Sequence, residues 1–349
     1  SSTRCPTRSM LHSEVTIDLG AVRHNVRRLL DAVAGSQLWA VVKADAYGHG
    51  AVEVARVALG EGARALCVAT VGEGVALRSA FRDARILVMG PSGDADIGRT
   101  RDARLELAVS EPPFPEGVPL HLKLDTGMGR YGAQALSEPP PNAVGLMSHL
   151  ATADVDRAFA ELQLERFRAA AAALPQLEAH IANSAATLRL PAFEGFAAAR
   201  CGIALYGLSP FQELPSSDGL EPVLSWRSSL AQVKLLDAGE STGYGRQFMA
   251  ERPTWIGLVP VGYADGFRRD LTGTEVLVAG ERRLVVGTVS MDSFAVELPG
   301  ELPRGTPVTL IGDGLLIESH AAQAGTINYE ITTGIRPSPE RARRVFVDG

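Results

Sequence analysis

The sequence predicts an α/β chain: a TIM-like (β/α)8 barrel followed by a β-rich C-terminal domain. Three observations point there. Eight short apolar runs, most of them without polar alternation, occupy the first two thirds of the chain, as expected of parallel strands buried on both faces. Helix-period segments separate several of them, the rhythm of a barrel. Past a Pro/Ser/Gly-rich stretch at 208–222, short apolar runs are divided by Gly, Pro and Asp turns, which is a β pattern.

Taken in order, the candidate barrel strands are 38–43, 65–70, 85–89, 105–109, 119–124, 143–148, 179–182 and 200–206. Between them, 51–59 places Val52, Ala55 and Leu59 on one helical face, with Gly60 as its stop. Segments 73–81 and 156–174 also read as helices. The links 89–119 and 131–142 are Pro-rich and short of helix signal, so barrel helices are expected to be missing or abbreviated there. An open doubly wound sheet is the rival arrangement. Beyond the linker the candidate strands are 224–236, 255–261, 275–278, 283–289, 294–298, 308–311 and 344–347, with one helix at 317–324. The expected domains are therefore 12–222 and 223–349, with residues 1–11 packing against the second.

Size and charge exclude several classes. A chain of 349 residues suits one large and one smaller domain, and 46% apolar residues can fill two cores. The net charge of −6 offers no basic field for nucleic acid. No run is long enough to span a membrane. The first eight residues carry two arginines but no apolar run behind them, which reads as a flexible tail and not a signal peptide. Cys5, Cys67 and Cys201 are odd in number and widely spaced, against a disulfide framework or a zinc cluster. A cytoplasmic location and no metal are expected.

The cationic residues are lopsided. Only Lys43, Lys123 and Lys234 are lysines, against 31 arginines. A chain that satisfies its surface with arginine keeps lysine where an amine is needed, because only an amine can shed a proton and form a Schiff base with an aldehyde. Lys234 lies in an ordinary strand pattern. Lys43 and Lys123 lie in distinctive segments, Val41-Val42-Lys43-Ala44-Asp45-Ala46-Tyr47-Gly48-His49-Gly50 and Leu122-Lys123-Leu124-Asp125-Thr126-Gly127-Met128-Gly129-Arg130-Tyr131-Gly132. Lys43 follows an apolar run at the C-terminal end of the first barrel strand, the face where barrel active sites form.

The first of these segments resembles the cofactor-lysine signature of the alanine racemases, fold-type III enzymes that use pyridoxal 5'-phosphate (PLP). The likeness continues in order through Ser148-His149-Leu150-Ala151-Thr152-Ala153-Asp154, Ala182-Asn183-Ser184-Ala185-Ala186 and Arg200-Cys201-Gly202-Ile203-Ala204-Leu205-Tyr206-Gly207. In the second domain it includes Gly243-Tyr244-Gly245, Val261-Gly262-Tyr263-Ala264-Asp265-Gly266, Ser290-Met291-Asp292 and Thr326-Ile327-Asn328-Tyr329-Glu330.

The resemblance implies a PLP-dependent isomerase interconverting L- and D-alanine for peptidoglycan precursors, working as a homodimer with shared active sites on a small amino-acid substrate. It implies that Lys43 holds the cofactor aldehyde and acts as one base, and that Tyr244 of the other subunit is the second. A phenol with a reference pKa near ~10 needs help near neutrality, and His149 and Arg200 are its implied helpers. Arg200 would face the ring nitrogen, where a residue that cannot accept a proton disfavours the transamination side reaction. His180 would support Arg200 from behind. Tyr47, Asn183, Ser184, Tyr329 and the amides of Gly202 and Ile203 are the implied cofactor-binding groups, with Asn183-Ser184 opening a short helix. Arg130, Met291 and Tyr263 would bind substrate. Lys123 would be carbamylated, and the carbamate would position Arg130.

Thr288 departs from the family pattern, where a basic residue is common; with Asp154, Arg269 and Ile327 it would line the access corridor. That departure keeps open a racemase of broader specificity, for serine or lysine. A fold-type III decarboxylase would carry an acidic residue where this chain has Arg200. A non-catalytic PLP carrier would need no second domain with Tyr244 and Met291.

Overall fold

The computed structural model describes residues 12–33, 35–190, 193 and 195–349. The expectations for residues 1–11 lie outside these. The chain forms two compact units. One is Leu19–Pro222; the other is Val223–Gly349 together with the N-terminal segment through Asp18.

The first strand, β1 (Ser13–Asp18), therefore belongs with the second unit, and the barrel unit starts at Leu19 where the sequence reading put its start at residue 12. The physical reason is its pattern. Successive residues of β1 alternate buried and half-buried, with Val15 and Ile17 inward, which suits a sheet packed on one face; β1 pairs antiparallel with Leu224–Ser229 and parallel with Ala342–Val347.

The barrel closes from β2 (Gln37–Val41), β3 (Ala65–Val68), β4 (Ile86–Val88), β5 (Glu106–Val109), β6 (Leu120–Lys123), β7 (Ala143–Met147), β8 (Glu178–His180) and β9 (Ala198–Cys201), in sequence order. Every pair is parallel, and β2 meets β9 with Trp39 opposite Arg200. β3, β4 and β6 are buried at every position; in β3 and β4 the sequence accordingly does not alternate, while β6 alternates Leu120 and Leu122 with the buried polar His121 and Lys123. The eighth strand lies earlier than the expected 200–206. It ends at Cys201, and Ile203–Tyr206 turns as a 3-10 helix beginning at Gly202.

Helices differ from expectation in four places, one of them in the second unit, where Asn328–Gly334 forms a second helix beside Ile317–Gln323 and only one was expected. Leu19–Ala32 forms a helix that the reading left unassigned, burying Ala21, Val22, Val26 and Leu29 on one face. Asp94–Asp102 is a helix inside the link expected to lack one; it buries only Thr100, so its sequence carries no apolar stripe. The helix Ala51–Glu61 runs through Gly60 and stops at Gly62, whose φ of 120° makes it the left-handed cap. The 131–142 link has no helix, as expected.

The second unit is built on a nine-stranded sheet. Its later strands are β10 (Leu224–Ser229), β11 (Gln232–Leu236), β12 (Ser241–Thr242), β13 (Phe248–Met249), β14 (Thr254–Val259), β15 (Glu275–Val278), β16 (Glu281–Val286), β17 (Phe294–Leu298), β18 (Pro307–Ile311) and β19 (Ala342–Val347). The large sheet runs β11-β14-β17-β16-β15-β18-β10-β1-β19, while β12 and β13 pair separately as a short hairpin. The run 224–236, read as one strand, is two, turning at Leu230. Stacked Phe267 and Phe294, with ring centroids 4.4 Å apart, mark the core. Among the described residues, no helix is long and apolar enough to cross a membrane.

Candidate active site

Lys43 stands two residues past β2, on a backbone that few sequences adopt. Ala44, Asp45, Ala46 and Tyr47 all have φ between 51° and 53°, one left-handed turn of four non-glycine residues. Each such residue costs about 1–2 kcal/mol relative to a right-handed one, so the turn persists only because its surroundings hold it. Those surroundings are visible. The Glu73 carboxylate accepts from the Ala44 amide at 2.7 Å and from the Ala69 amide at 2.8 Å, and Thr70 and Glu73 close a capping box on the helix Val71–Ala80. The Asp45 carboxylate accepts from the Ala51 amide at 2.9 Å. Glu73 was absent from the sequence-derived site, although Thr70-x-x-Glu73 is a legible capping signal.

Four cations share this end of the barrel. Burial lowers the Lys43 amine below the usual lysine range, and Arg130 and Arg200 push the same way, against Glu73. Burial and the neighbouring Arg200, Arg130 and Lys43 bring Lys123 down to about 8. Lys123 thus has a reachable neutral form, the nucleophilic one, and Lys43 is shifted in the same direction. Lys123 ends β6 and lies 5.4 Å from the ring centre of Tyr131. Arg130 is carried on a loop held by Asp125, whose carboxylate accepts the Gly127, Met128 and Gly129 amides at 2.8–2.9 Å. Gly132 closes that loop where an added Cβ would meet the Asp125 nitrogen at 2.7 Å.

Arg200 is buried and makes its hydrogen bonds inside the barrel. It donates to Nδ1 of His180 at 2.5 Å, to the His180 and Ser148 carbonyls at 2.9 and 2.6 Å, and to Nδ1 of His149 at 3.3 Å. Burial brings it down to about 10, so it stays charged near neutrality. Burial, reinforced by Arg200, holds His149 and His180 well below the ordinary imidazole value; both are neutral. Burial also pushes the thiols up, Cys67 to about 12 and Cys201 to about 11, so neither supplies a thiolate.

Beside the cations lies a cradle of hydrogen-bond donors. The Ser184 hydroxyl accepts from the Gly202 amide at 3.1 Å and the Ala204 amide at 3.4 Å, leaving its own proton to give. Tyr47 packs against Gly202 so closely that a Cβ there would sit 2.6 Å from its hydroxyl oxygen. Ile203 follows at the start of the 3-10 turn. Asn183 caps the helix Ser184–Arg189 through the Ala186 amide at 3.0 Å. That helix has only six residues and its cap is taken by its own side chain, so the cradle rests on the hydroxyls and on the backbone at Gly202, not on a helix end.

The barrel unit thus gathers Lys43, Tyr47, Lys123, Arg130, His149, Asn183, Ser184, Arg200, Gly202 and Ile203. Tyr244, Tyr263, Met291 and Tyr329 belong to the other unit. There, Gly262 and Met291 are in close approach, since a Cβ on Gly262 would lie 2.4 Å from the Met291 oxygen; the Tyr263 amide donates to the Ser290 carbonyl at 3.1 Å. Tyr244 is 74% exposed, Met291 52% and Tyr263 41%: three large side chains presented outward from their own unit. Tyr329 lies half-buried in the helix Asn328–Gly334. Thr288 donates to the Tyr244 carbonyl at 3.0 Å.

The sequence model of the alanine racemase N-terminal domain matches residues 17–210, and that of the C-terminal domain matches 223–345. An alanine racemase of Geobacillus stearothermophilus is 41% identical, over 95% of this chain and 92% of its own. A solved structure of alanine racemase from Streptomyces coelicolor A3(2) superposes with a TM-score of 0.87 at 37% identity, covering 97% of this chain and 98% of that one. An alanine racemase from Bartonella henselae with covalently bound pyridoxal phosphate superposes at 0.85 with 27% identity, covering 96% and 99%. With both domain models matched in order and relatives alike over nearly their whole length, the chain belongs to the alanine racemase family.

Proposed function

We propose that the chain is a PLP-dependent alanine racemase that acts as a homodimer in the cytoplasm, supplying D-alanine for peptidoglycan. The observation that carries the reading is the set of Lys43, Lys123, Arg130 and Arg200 at one end of the barrel, beside the donor cradle of Tyr47, Ser184 and Gly202. A cofactor with an aldehyde, a phosphate and a ring nitrogen fits that set, and so does a substrate carboxylate. Lys43 would hold the aldehyde. Tyr47, Asn183, Ser184, the amides of Gly202 and Ile203, and Tyr329 would hold the phosphate end. Arg200 would face the ring nitrogen.

When bound, PLP supplies an electron-withdrawing ring that acidifies the α-hydrogen of the amino acid joined to it. The protein's part is to place a base on each face of that carbon. The lowered pKa of Lys43 leaves a free amine to take or return the proton on one face. Tyr244 of a second copy serves the other face, which its outward presentation supports. Arg200 donates to Nδ1 of His149, so the remaining imidazole proton sits on Nε2, where it can hydrogen-bond the Tyr244 oxygen and favour the phenolate. Arg200 withholds a proton from the ring nitrogen, limiting delocalisation and keeping protonation at Cα. Arg130, with Lys123 as its carbamate and the Met291 amide, would orient the substrate carboxylate, and Tyr263 would limit side-chain size.

The test is a chiral assay of purified protein with PLP and, separately, L-alanine, L-serine and L-lysine. D-Alanine formed much faster than the other products supports the reading. Comparable rates on all three would replace it with a broad racemase. Lys43→Ala is expected to lose both the product and the Schiff-base absorption band; a band that persists would remove Lys43 from its role.

A further inference from the structure

The geometry points to Glu106, His121 and His180 as one chain of positioning residues that delivers a counter-charge to Arg200 through the barrel interior. The inference rests on the proposed role of Arg200 toward the cofactor ring.

Among the described residues, Arg200 has no carboxylate partner in an ion pair, although it is buried. An isolated buried charge is costly, and such groups are paired or linked to a partner. The link can be followed atom by atom. Arg200 donates to His180 Nδ1 at 2.5 Å. His180 Nε2 lies 2.8 Å from His121 Nδ1, and His121 Nε2 lies 2.7 Å from a Glu106 oxygen. Glu106 is fixed in turn by Arg85, 2.8 Å away, which also pairs with Glu178 at 2.6 Å.

A guanidinium only donates. His180 Nδ1 must therefore accept, and the His180 proton sits on Nε2. That proton points at His121 Nδ1, so His121 also carries its proton on Nε2, aimed at the carboxylate. One direction of donation runs from Arg200 to Glu106, and the two neutral rings cannot change tautomer singly without setting donor against donor. Burial lowers the His121 ring, consistent with its neutrality. Burial would raise Glu106, but His121 and Arg85 outweigh it and keep it ionised.

The fold makes room for this line. His121 precedes Lys123 by two residues in β6, so both face the same way; one serves the relay and the other the site. Gly145 of β7 leaves the notch in which His121 sits, for a Cβ there would lie 2.0 Å from His121 Nδ1. Trp39 packs on both rings, with centroids 4.5 Å from His180 and 5.9 Å from His121. Glu106 and Glu178 begin their strands, at the barrel mouth opposite Lys43. The charge state and aim of Arg200 are thus set from the far end of the barrel.

The test begins with the wild-type protein labelled with 15N-histidine, read by NMR both free of cofactor and loaded with PLP. His180 and His121 are expected to show a protonated Nε2 and a bare Nδ1 in both forms; a protonated Nδ1 on either ring, or an imidazolium, overturns the relay. This needs no substrate, so it decides the relay even if alanine proves not to be the substrate. Glu106→Gln is then expected to lower kcat about tenfold with KM within about twofold, the loss of one charge-assisted hydrogen bond. It should also raise several-fold the pyruvate released per racemisation, as the alanine amino group is more often left on the cofactor. Glu106→Asp should restore most of both. Gly145→Ala, which displaces His121 without removing a polar group, should act like Glu106→Gln. A folded Glu106→Gln protein with unchanged pyruvate yield and unchanged His180 nitrogen shifts would refute the assignment. If neither variant folds, the wild-type shifts decide it alone.

Discussion

Replacing Gly202 by alanine isolates the donor cradle without touching a charge. The backbone there has φ −120° and ψ −84°, outside the left-handed region, so an L-residue meets no positive-φ penalty. The obstacle is Tyr47: the new methyl would sit 2.6 Å from its hydroxyl oxygen and 3.0 Å from Cζ. That is about 0.8 Å inside ordinary van der Waals contact at the oxygen. The ring cannot swing away freely, because it is buried against Tyr206 with centroids 5.0 Å apart. Overpacking of this kind costs about 1–3 kcal/mol, which, if relieved by moving the phenol away from the proposed phosphate site, weakens PLP binding by roughly 5- to 150-fold. The assay is equilibrium titration of cofactor-free protein with PLP, followed by absorbance. Tyr47→Phe should weaken binding by itself by removing a donor. The combined variant should weaken it by clearly less than the two effects multiplied, because the phenylalanine has no oxygen for the methyl to strike. Unchanged PLP affinity in Gly202→Ala, or full multiplicativity in the pair, would mean that Tyr47 and Gly202 do not form one cradle.

Glu73→Ala strips an acceptor from the Ala44, Ala69 and Thr70 amides; urea denaturation should show a loss of about 2 kcal/mol, and the Lys43 pKa should fall further because Glu73 raises it. Thr288→Val removes the bond to the Tyr244 carbonyl; α-deuterium washout should slow more for the enantiomer whose proton Tyr244 takes, while Thr288→Ser stays near wild type, and equal slowing of both enantiomers would deny Thr288 that role. Lys123, brought down to about 8 by burial and its cationic neighbours, should gain neutral amine as pH rises through that value; at fixed CO2 pressure, a 13C-carbamate resonance should grow over the same range and be missing in Lys123→Arg. The same lowering makes an unmodified Lys123 amine bind its proton more weakly folded than unfolded, so its cost to stability is fully present below about pH 8 and fades as pH climbs toward the ordinary lysine value near ~10.5.

The barrel was legible because its strands are buried on both faces: β3, Ala65–Val68, and β4, Ile86–Val88, offer unbroken apolar runs that few other structures need. The helix Asp94–Asp102 was not, because it buries one threonine and spends the rest of its residues on solvent. The last barrel strand was misplaced by a few residues because Ile203–Tyr206 is as apolar as a strand while turning as a 3-10 helix just past its C-terminal end. In the site, segments contiguous in sequence could be found, such as the ten residues around Lys43. Glu106, His121 and His180 could not be joined, since each sits on a different strand and only closure of the barrel brings them within 2.8 Å. The placement of β1 followed the same logic in reverse: its partners, β10 and β19, lie more than two hundred residues downstream.

The turn after Lys43 carries a consequence for chirality. Ala44 and Ala46 occupy backbone angles that are the resting state of a D-residue and a strained state of an L-residue. Semisynthesis with D-alanine at either position should therefore stabilise the protein, and glycine should be tolerated there better than any β-branched residue. A chain whose relatives are named alanine racemases follows Lys43 with alanines folded as the mirror form of alanine would fold unaided.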